Sequence, residues 1–217
     1  MKEPSQNEDT AKKVHIQTFG CQMNEYDADK MLAVLRHENY FHTNYQEDAD
    51  LIILNTCSIR EKAENRVFSE LGRLRKLKSV NPELKIGVGG CVAQQKGESI
   101  LLREANVDFV FGTDNLFELP EMLNKVSQGQ KISQTERHPR QKVRNFIPDY
   151  TFQQARHFGI KAHLTITKGC NNHCSFCVVP ITRGPEVSRE PEDILAEAQQ
   201  LISVGTKEIC LLGQNVN

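Results

Sequence analysis

The sequence predicts an α/β protein built from two successive units. The first is an open parallel sheet, Rossmann-like or flavodoxin-like, over residues 14–126. The second begins a partial (β/α) barrel at residue 161 and runs to residue 217. Three observations carry this reading. Short aliphatic runs alternate with segments of helical period, the βαβα order of a parallel sheet. The run Asp50-Leu51-Ile52-Ile53-Leu54 is continuously apolar after its first residue, as in a strand buried on both faces. Strand ends are marked by Gly or Cys, the usual punctuation before a helix.

Taken in order, residues 1–13 are polar and read as a disordered tail. Val14-His15-Ile16-Gln17-Thr18-Phe19 alternates like a strand and ends at Gly20-Cys21. A helix follows, with Asn24 or Asp27 as N-cap and Met31, Val34 and Leu35 on its apolar face. The second strand, through Leu54, ends at Asn55-Thr56-Cys57. A long helix carries Ala63, Val67, Leu71 and Leu74 at helical spacing. Lys85-Ile86-Gly87-Val88 is a third strand, ending at Gly89-Gly90-Cys91. A short helix through Ile100, Leu101 and Leu102 precedes a fourth strand, Val107–Phe111, and a closing helix spans 115–125 with Pro120 near its start. Residues 127–160 are polar, with Pro139 and Pro148, and read as a linker. Its basic run, Arg137 to Arg144, suits a solvated face better than a phosphate contact. Ala162–Thr167 opens the second unit. Ser188 is the expected cap of a helix starting near Pro191 and ending at Gly205. Glu208–Leu212 is its second strand. Two strands and a helix do not close a barrel, so the chain reads as truncated.

Composition narrows the class. Charged residues are 25% and the net charge is −1, so bulk charge signals no nucleic-acid partner, though a local basic face is compatible with it. The N-terminus lacks the apolar core of a signal peptide, and no stretch approaches a membrane span, so a cytoplasmic location without membrane contact is expected. Seven cysteines, an odd number, point in that compartment to metal or redox chemistry rather than disulfides.

Six of the seven fall into two patterns. Cys170, Cys174 and Cys177 form a C-x3-C-x2-C loop behind Gly169, with Phe176 just before the last Cys. Soft thiolates select zinc, copper(I) or iron–sulfur clusters. Structural zinc wants four ligands, usually in two pairs, and there is no second pair here. A zinc knuckle using His173 remains an alternative, although His173 adjoins Cys174. Three thiols on a four-iron cube leave one iron open for a substrate. The other three, Cys21, Cys57 and Cys91, each sit just past the carboxyl end of a predicted strand, the edge where open α/β sheets bind ligands. Three separate core cysteines are the alternative. A dinucleotide site is excluded, because Gly87-Val88-Gly89 is followed by Val92 where the third Gly should stand. Cys210 lies mid-strand and reads as core packing; His15 and His163 read as strand residues with no visible partner.

The C-x3-C-x2-C loop with its aromatic resembles the signature of the radical S-adenosylmethionine (SAM) enzymes. With the second trio, the chain resembles the methylthiotransferases among them. The matching stretches are Thr18–Asn24, Asn55–Asn65, Gly89–Gln94, Cys177–Gly184 and Leu211–Asn217. The resemblance implies two [4Fe–4S] clusters, a radical SAM cluster on the catalytic Cys170, Cys174 and Cys177 and an auxiliary cluster on Cys21, Cys57 and Cys91. It implies SAM contacts from Phe176, Val178 and Arg183. It implies SAM as both methyl donor and source of a 5′-deoxyadenosyl radical. The wording of the motifs is nearest the branch that adds a methylthio group at C2 of N6-(dimethylallyl)adenosine 37 in the tRNA anticodon loop. Branches acting on threonylcarbamoyl-adenosine in tRNA or on a ribosomal-protein aspartate are alternatives, as is a non-catalytic iron–sulfur or zinc fragment. The family further implies an electron donor such as a flavodoxin or ferredoxin, and a monomer.

Overall fold

The computed structural model describes residues 11–59, 61–138 and 160–216. The first unit is a six-stranded parallel sheet: β1 (Lys12–Thr18), β2 (Tyr40–His42), β3 (Leu51–Thr56), β4 (Lys85–Gly90), β5 (Phe109–Phe111) and β6 (Ile132–Gln134). Its strand order is β2-β1-β3-β4-β5-β6. The chain moves outward from β1 to β2, then crosses back to place β3 on the other side of β1. That reversal defines a switch point between β1 and β3, the doubly wound arrangement expected.

The six residues of β3 are all buried, which explains its unbroken apolar run. Side chains alternate across the sheet. Ile52 and Leu54 join Ile86, Val88 and Val110 under Val67, Leu71 and Leu74 of α2 (Glu61–Val80). Leu51 and Ile53 join Phe109 and Phe111 on the opposite face, under α1 (Gln22–His37) and α5 (Leu119–Ser127). Gly87 and Gly89 are required here for a packing reason. A Cβ at either would strike the ring of Phe109 or Phe111, which stack across β4 with centroids 5.9 Å apart.

The remaining helices of the first unit are α3 (Cys91–Lys96) and α4 (Glu98–Arg103). The second unit has β7 (Lys161–Thr165) paired in parallel with β10 (Glu208–Leu212), and β8 (Thr167–Lys168) antiparallel to β9 (Val187–Ser188). Its helices are α6 (Val179–Arg183) and α7 (Pro191–Ser203). Leu164, Ala162 and Leu201 are its small core.

Several expectations are corrected. The first helix begins earlier, at Gln22, with Cys21 as N-cap, because Asn24 and Asp27 are both buried and bonded elsewhere. Helix α7 is capped by Glu190, since Ser188 pairs in β9. Gly205 does follow that helix, in the left-handed region, with Thr206 N–H reaching Leu201 O at 3.1 Å. Strand β2 and helices α3 and α6 are too short to show a period. The expected linker contains β6, three polar-flanked residues whose backbone pairs with β5. The tail residues 1–10 and the linker residues 139–159 lie outside the described residues. His15 has a partner after all, its Nδ1 lying 3.0 Å from Thr43 O, and His163 lies 3.5 Å from Glu25. Among the described residues no helix is long and apolar enough to cross a membrane.

Ile53→Ala empties a fully buried site between two helix layers and should lower unfolding stability by about 2–5 kcal/mol. Leu102→Ala, at an 82% exposed position, should stay within about 0.5 kcal/mol of the parent. Urea denaturation of the two variants checks both values.

Candidate functional site

Parallel pairing of β1, β3 and β4 brings their carboxyl ends to one edge. Cys21 follows β1, Cys57 follows β3 and Cys91 follows β4 as the first residue of α3. Cys57 and Cys91 are buried, and Cys21 is half-buried. A Cβ on Gly20 would collide with Cys57 Cβ, so glycine there lets the two loops touch. Polar side chains lock the edge. Asn24 Nδ2 donates to Asn55 Oδ1 and Thr56 O, each at 2.9 Å, and Asn55 Nδ2 returns a bond to Asn24 O at 2.6 Å. Thr56 Oγ1 donates to Gly89 O at 2.6 Å and accepts from Val92 N–H at 3.1 Å, holding the start of α3 against β3.

The thiols sense one another. In its neutral form Cys21 donates to Asn24 Oδ1 at 3.0 Å. A hydrogen bond from Cys57 holds the Cys21 thiol down, to about 6. Backbone N–H groups of Asn24 and Met23 and the charge of Arg183 act the same way, against burial. The donating partner moves the opposite way. Its bond to Cys21, then burial, push the Cys57 thiol up, with the nearby Cys91 adding to the effect. Cys21 and Cys91 line a cavity of about 210 Å³ together with Ile59, Thr182, Arg183 and Gln214. Cys210 packs at the seam beside Met23 and Leu212, as core rather than in either trio.

The second trio lies on the excursion between β8 and β9, whose antiparallel pairing closes its base. Cys170 N–H donates to Gly184 O at 3.1 Å, and Asn171 Oδ1 accepts from Glu186 N–H at 3.0 Å. Gly169 and Gly184 both take positive φ, and a Cβ on Gly169 would run into the backbone of Gly184 and Pro185. Within the loop, Cys177 N–H bonds to Cys174 O at 3.1 Å, and Asn172 N–H points to Cys170 Sγ at 3.4 Å. Cys174 and His173 are exposed, and Phe176 is 91% exposed. Val178 is the N-cap of α6.

Among the described residues, no three His, Cys, Asp or Glu side chains are drawn together tightly enough for a single metal ion. A four-iron cube offers separate corners to separate thiolates, so its ligands stand further apart than those of one tetrahedral ion. The edge trio fits such a group on three counts. Its donors are three soft thiols, Gly20 leaves a cradle that a Cβ would fill, and among the described residues a buried donor atom of Arg183 beside it lacks a partner. The loop trio fits by donor set and by its pinned ends.

Comparison with known proteins bears on both trios. Residues 13–112 match the uncharacterized protein family UPF0004, and residues 164–217 match the radical SAM superfamily. A protein of Janthinobacterium sp. (strain Marseille) named tRNA-2-methylthio-N(6)-dimethylallyladenosine synthase is 52% identical over 207 residues, 95% of this chain and 45% of its own length. Proteins of the same name from Paraburkholderia xenovorans (strain LB400) and Acinetobacter baumannii (strain AYE) are 50% and 49% identical, with 95% of this chain and 44% and 43% of theirs covered. The chain thus joins a UPF0004 segment to a radical SAM segment, and it is similar along 95% of its length to proteins that carry this synthase name. It spans less than half the length of these relatives. A solved radical SAM methyltransferase from Kitasatospora setae, with tryptophan and a SAM analogue bound, superposes with a TM-score of 0.58. The superposition covers 93% of this chain and 47% of that one, at 13% identity, which bears on the fold alone.

Sequence reasoning missed the seam between the two units of this chain. Arg183 is 4% exposed and its Nη2 donates to Asp27 Oδ2 at 2.7 Å. Tyr26 Oη donates to Glu197 at 3.0 Å, and Arg189 bonds to the same carboxylate and to Tyr26. Lys168 reaches Asp114 and Thr113 O, and Thr113 Oγ1 donates to Thr182 O at 2.7 Å. Arg137 pairs with Asp114 at 3.5 Å and caps Ile181 O, and His138 meets Glu118 at 2.7 Å, so the start of the basic run binds protein. A signal for the seam exists in α1. Met23, Tyr26, Asp27 and Lys30 recur at helical spacing, a second stripe beside the Met31–Leu35 stripe that meets the sheet. Arg183, implied by resemblance as a SAM contact, points its guanidinium to Asp27 and the edge trio.

Cys21 in the metal-free chain should be alkylated by iodoacetamide with a reactivity midpoint near pH 6. The thiolate, which is the reactive form, predominates above that pH. Cys57→Ala removes the donor and should move the midpoint upward, toward the ordinary thiol range. A pH series read by peptide mass spectrometry measures both.

Proposed function

We propose that this chain is the cluster-bearing part of a tRNA-modifying methylthiotransferase, adding a methylthio group to C2 of N6-(dimethylallyl)adenosine at position 37. The observation that carries the reading is the pairing of two distinct three-thiol sites on docked units. One lies at the switch-point edge of a doubly wound sheet, and the other on a loop pinned at both ends. The shared name of the relatives supports tRNA as the substrate class. The same reading takes residues 14–126, extended by β6, as the auxiliary-cluster domain, and residues 161–217 as the first part of the radical SAM domain.

In this reading Cys170, Cys174 and Cys177 hold the SAM-binding cluster, and Cys21, Cys57 and Cys91 hold the auxiliary one. Bound there, the two [4Fe–4S] groups and SAM would supply one-electron chemistry able to open an unactivated aromatic C–H, with the sulfur and methyl to be transferred. The chain's own part is positioning. Gly169, Gly184 and the β8–β9 ladder fix the loop ends. Phe176 and Val178 are assigned to SAM contact. Asn24, Asn55 and Thr56 hold the edge thiols in fixed loops. An outside one-electron donor of the flavodoxin or ferredoxin type is needed, because reduction starts the cycle. A cytoplasmic monomer suits that supply.

Anaerobic reconstitution with iron and sulfide tests the assignment. About eight iron per chain is expected for the parent, two four-iron cubes. The Cys21→Ala/Cys57→Ala/Cys91→Ala variant should keep about four. Four in both would return the edge cysteines to the core, and zinc without sulfide would end the radical reading. Restoration of 2-methylthio-N6-dimethylallyladenosine in tRNA of a deletion strain, by the gene that encodes this chain, checks the substrate. The mark appearing on threonylcarbamoyl-adenosine instead would reassign it.

A further inference from the structure

Arg183 closes helix α6 in the second unit, yet its side chain is spent on the first. One arm of the guanidinium, Nη2, is held by Asp27 at 2.7 Å. The other arm, Nη1, is buried and has no hydrogen-bond partner among the described residues. The residue lines the cavity of about 210 Å³ that Cys21 and Cys91 also line. Its charge bears on both sulfurs. Its backbone is fixed from the first unit as well, because Thr113 Oγ1 bonds the carbonyl of the preceding residue, Thr182, at 2.7 Å. A buried charged donor left unpaired is costly, and the cost is removed when an anion accepts from it. Guanidinium suits this place because its planar fork holds donors on two arms in fixed directions, where an ammonium is a compact point charge with rotating donors.

We propose that Arg183 is a positioning residue of the edge site: its free Nη1 donates to anionic sulfur in a cluster held by Cys21, Cys57 and Cys91, so that this site is complete only with the two units docked. The inference rests on the iron–sulfur reading above and adds to it a residue from outside the cysteine-bearing domain. Hydrogen bonds and positive charge at cluster sulfur stabilise the reduced, more negative form and raise the reduction potential. Asp27 has the opposite electrostatic effect, while sharing the same ion pair. The two residues are therefore separable. As a purely structural pair they would act alike, and as a donor and its anchor they act with opposite sign.

The experiment uses this chain carrying Cys170→Ala/Cys174→Ala/Cys177→Ala, reconstituted anaerobically so that only the edge cluster contributes signal. Iron and sulfide are counted, the midpoint potential is taken by redox titration followed by electron paramagnetic resonance, and iron loss to a chelator is timed. Arg183→Gln should make the potential more negative and speed iron loss about tenfold, the scale of one charged hydrogen bond. Arg183→Lys should fall between parent and Gln. Asp27→Asn should leave the potential unchanged or move it upward, while lowering the thermal unfolding temperature as Arg183→Gln does. Potentials that stay equal across the set, or that move in the same direction for Arg183→Gln and Asp27→Asn, would overturn the assignment. A parent background that takes up no iron overturns the iron–sulfur reading itself, and Arg183 with it; four iron with unmoved potentials overturns Arg183 alone.

Discussion

The pairing of β1 with β3 is the constraint on which the rest depends. Five registered residue pairs, from Val14↔Leu51 to Thr18↔Asn55, bring two loops to the same height at the sheet edge. Because β2 lies outside β1, the connections that leave β1 and β3 run to opposite sides of these two loops. A cleft at that point is a result of topology before any side chain is considered. Cys21 and Cys57 stand on its two lips, and β4 adds Cys91 one strand further along. A register slip of one residue between β1 and β3 would invert the alternation of Leu51, Ile52, Ile53 and Leu54 across two apolar layers. Core packing on both faces thus fixes the height of the thiols.

How much of this was legible depended on whether a feature was local. The buried strands announced themselves, since Leu51–Leu54 is apolar without a break and the glycines of β4 mark the rings that cover them. The two cysteine trios were legible too, the loop trio by spacing and the edge trio by its place after successive strands. What escaped was decided by partners distant in sequence. Asp27 looks like a helix cap from its neighbours, and only Arg183, far along the chain, shows why it is buried. Strand β6 consists of Ile132, Ser133 and Gln134, a segment with no strand signal of its own, ordered by backbone bonds to β5. Helices α3 and α6 are five or six residues long, shorter than two turns, so periodicity has nothing to measure.

The seam between the units is polar at its centre. Asp27, Asp114 and Glu197 are each nearly closed to solvent and each faces at least one cation from the second unit or from the segment that leads to it. Such pairs add little net stability over a well-packed apolar contact, because desolvation offsets attraction. They do demand one geometry. An apolar seam tolerates sliding, whereas Tyr26, Glu197 and Arg189 bond to one another only at a single docking angle. What such a seam supplies is a fixed separation between the two thiol sites rather than tight adhesion.

Arg137 gives the seam a further property. It leaves the sheet domain just past β6 and lays its guanidinium over the carbonyl of Ile181 before the chain runs on toward β7. The second unit is therefore leashed close to its docking place, and its return after any opening is an intramolecular event. For two units joined in one chain the effective concentration is about millimolar. Weak, angle-selective contacts suffice under those conditions, since they must outcompete only a local search and not dilution.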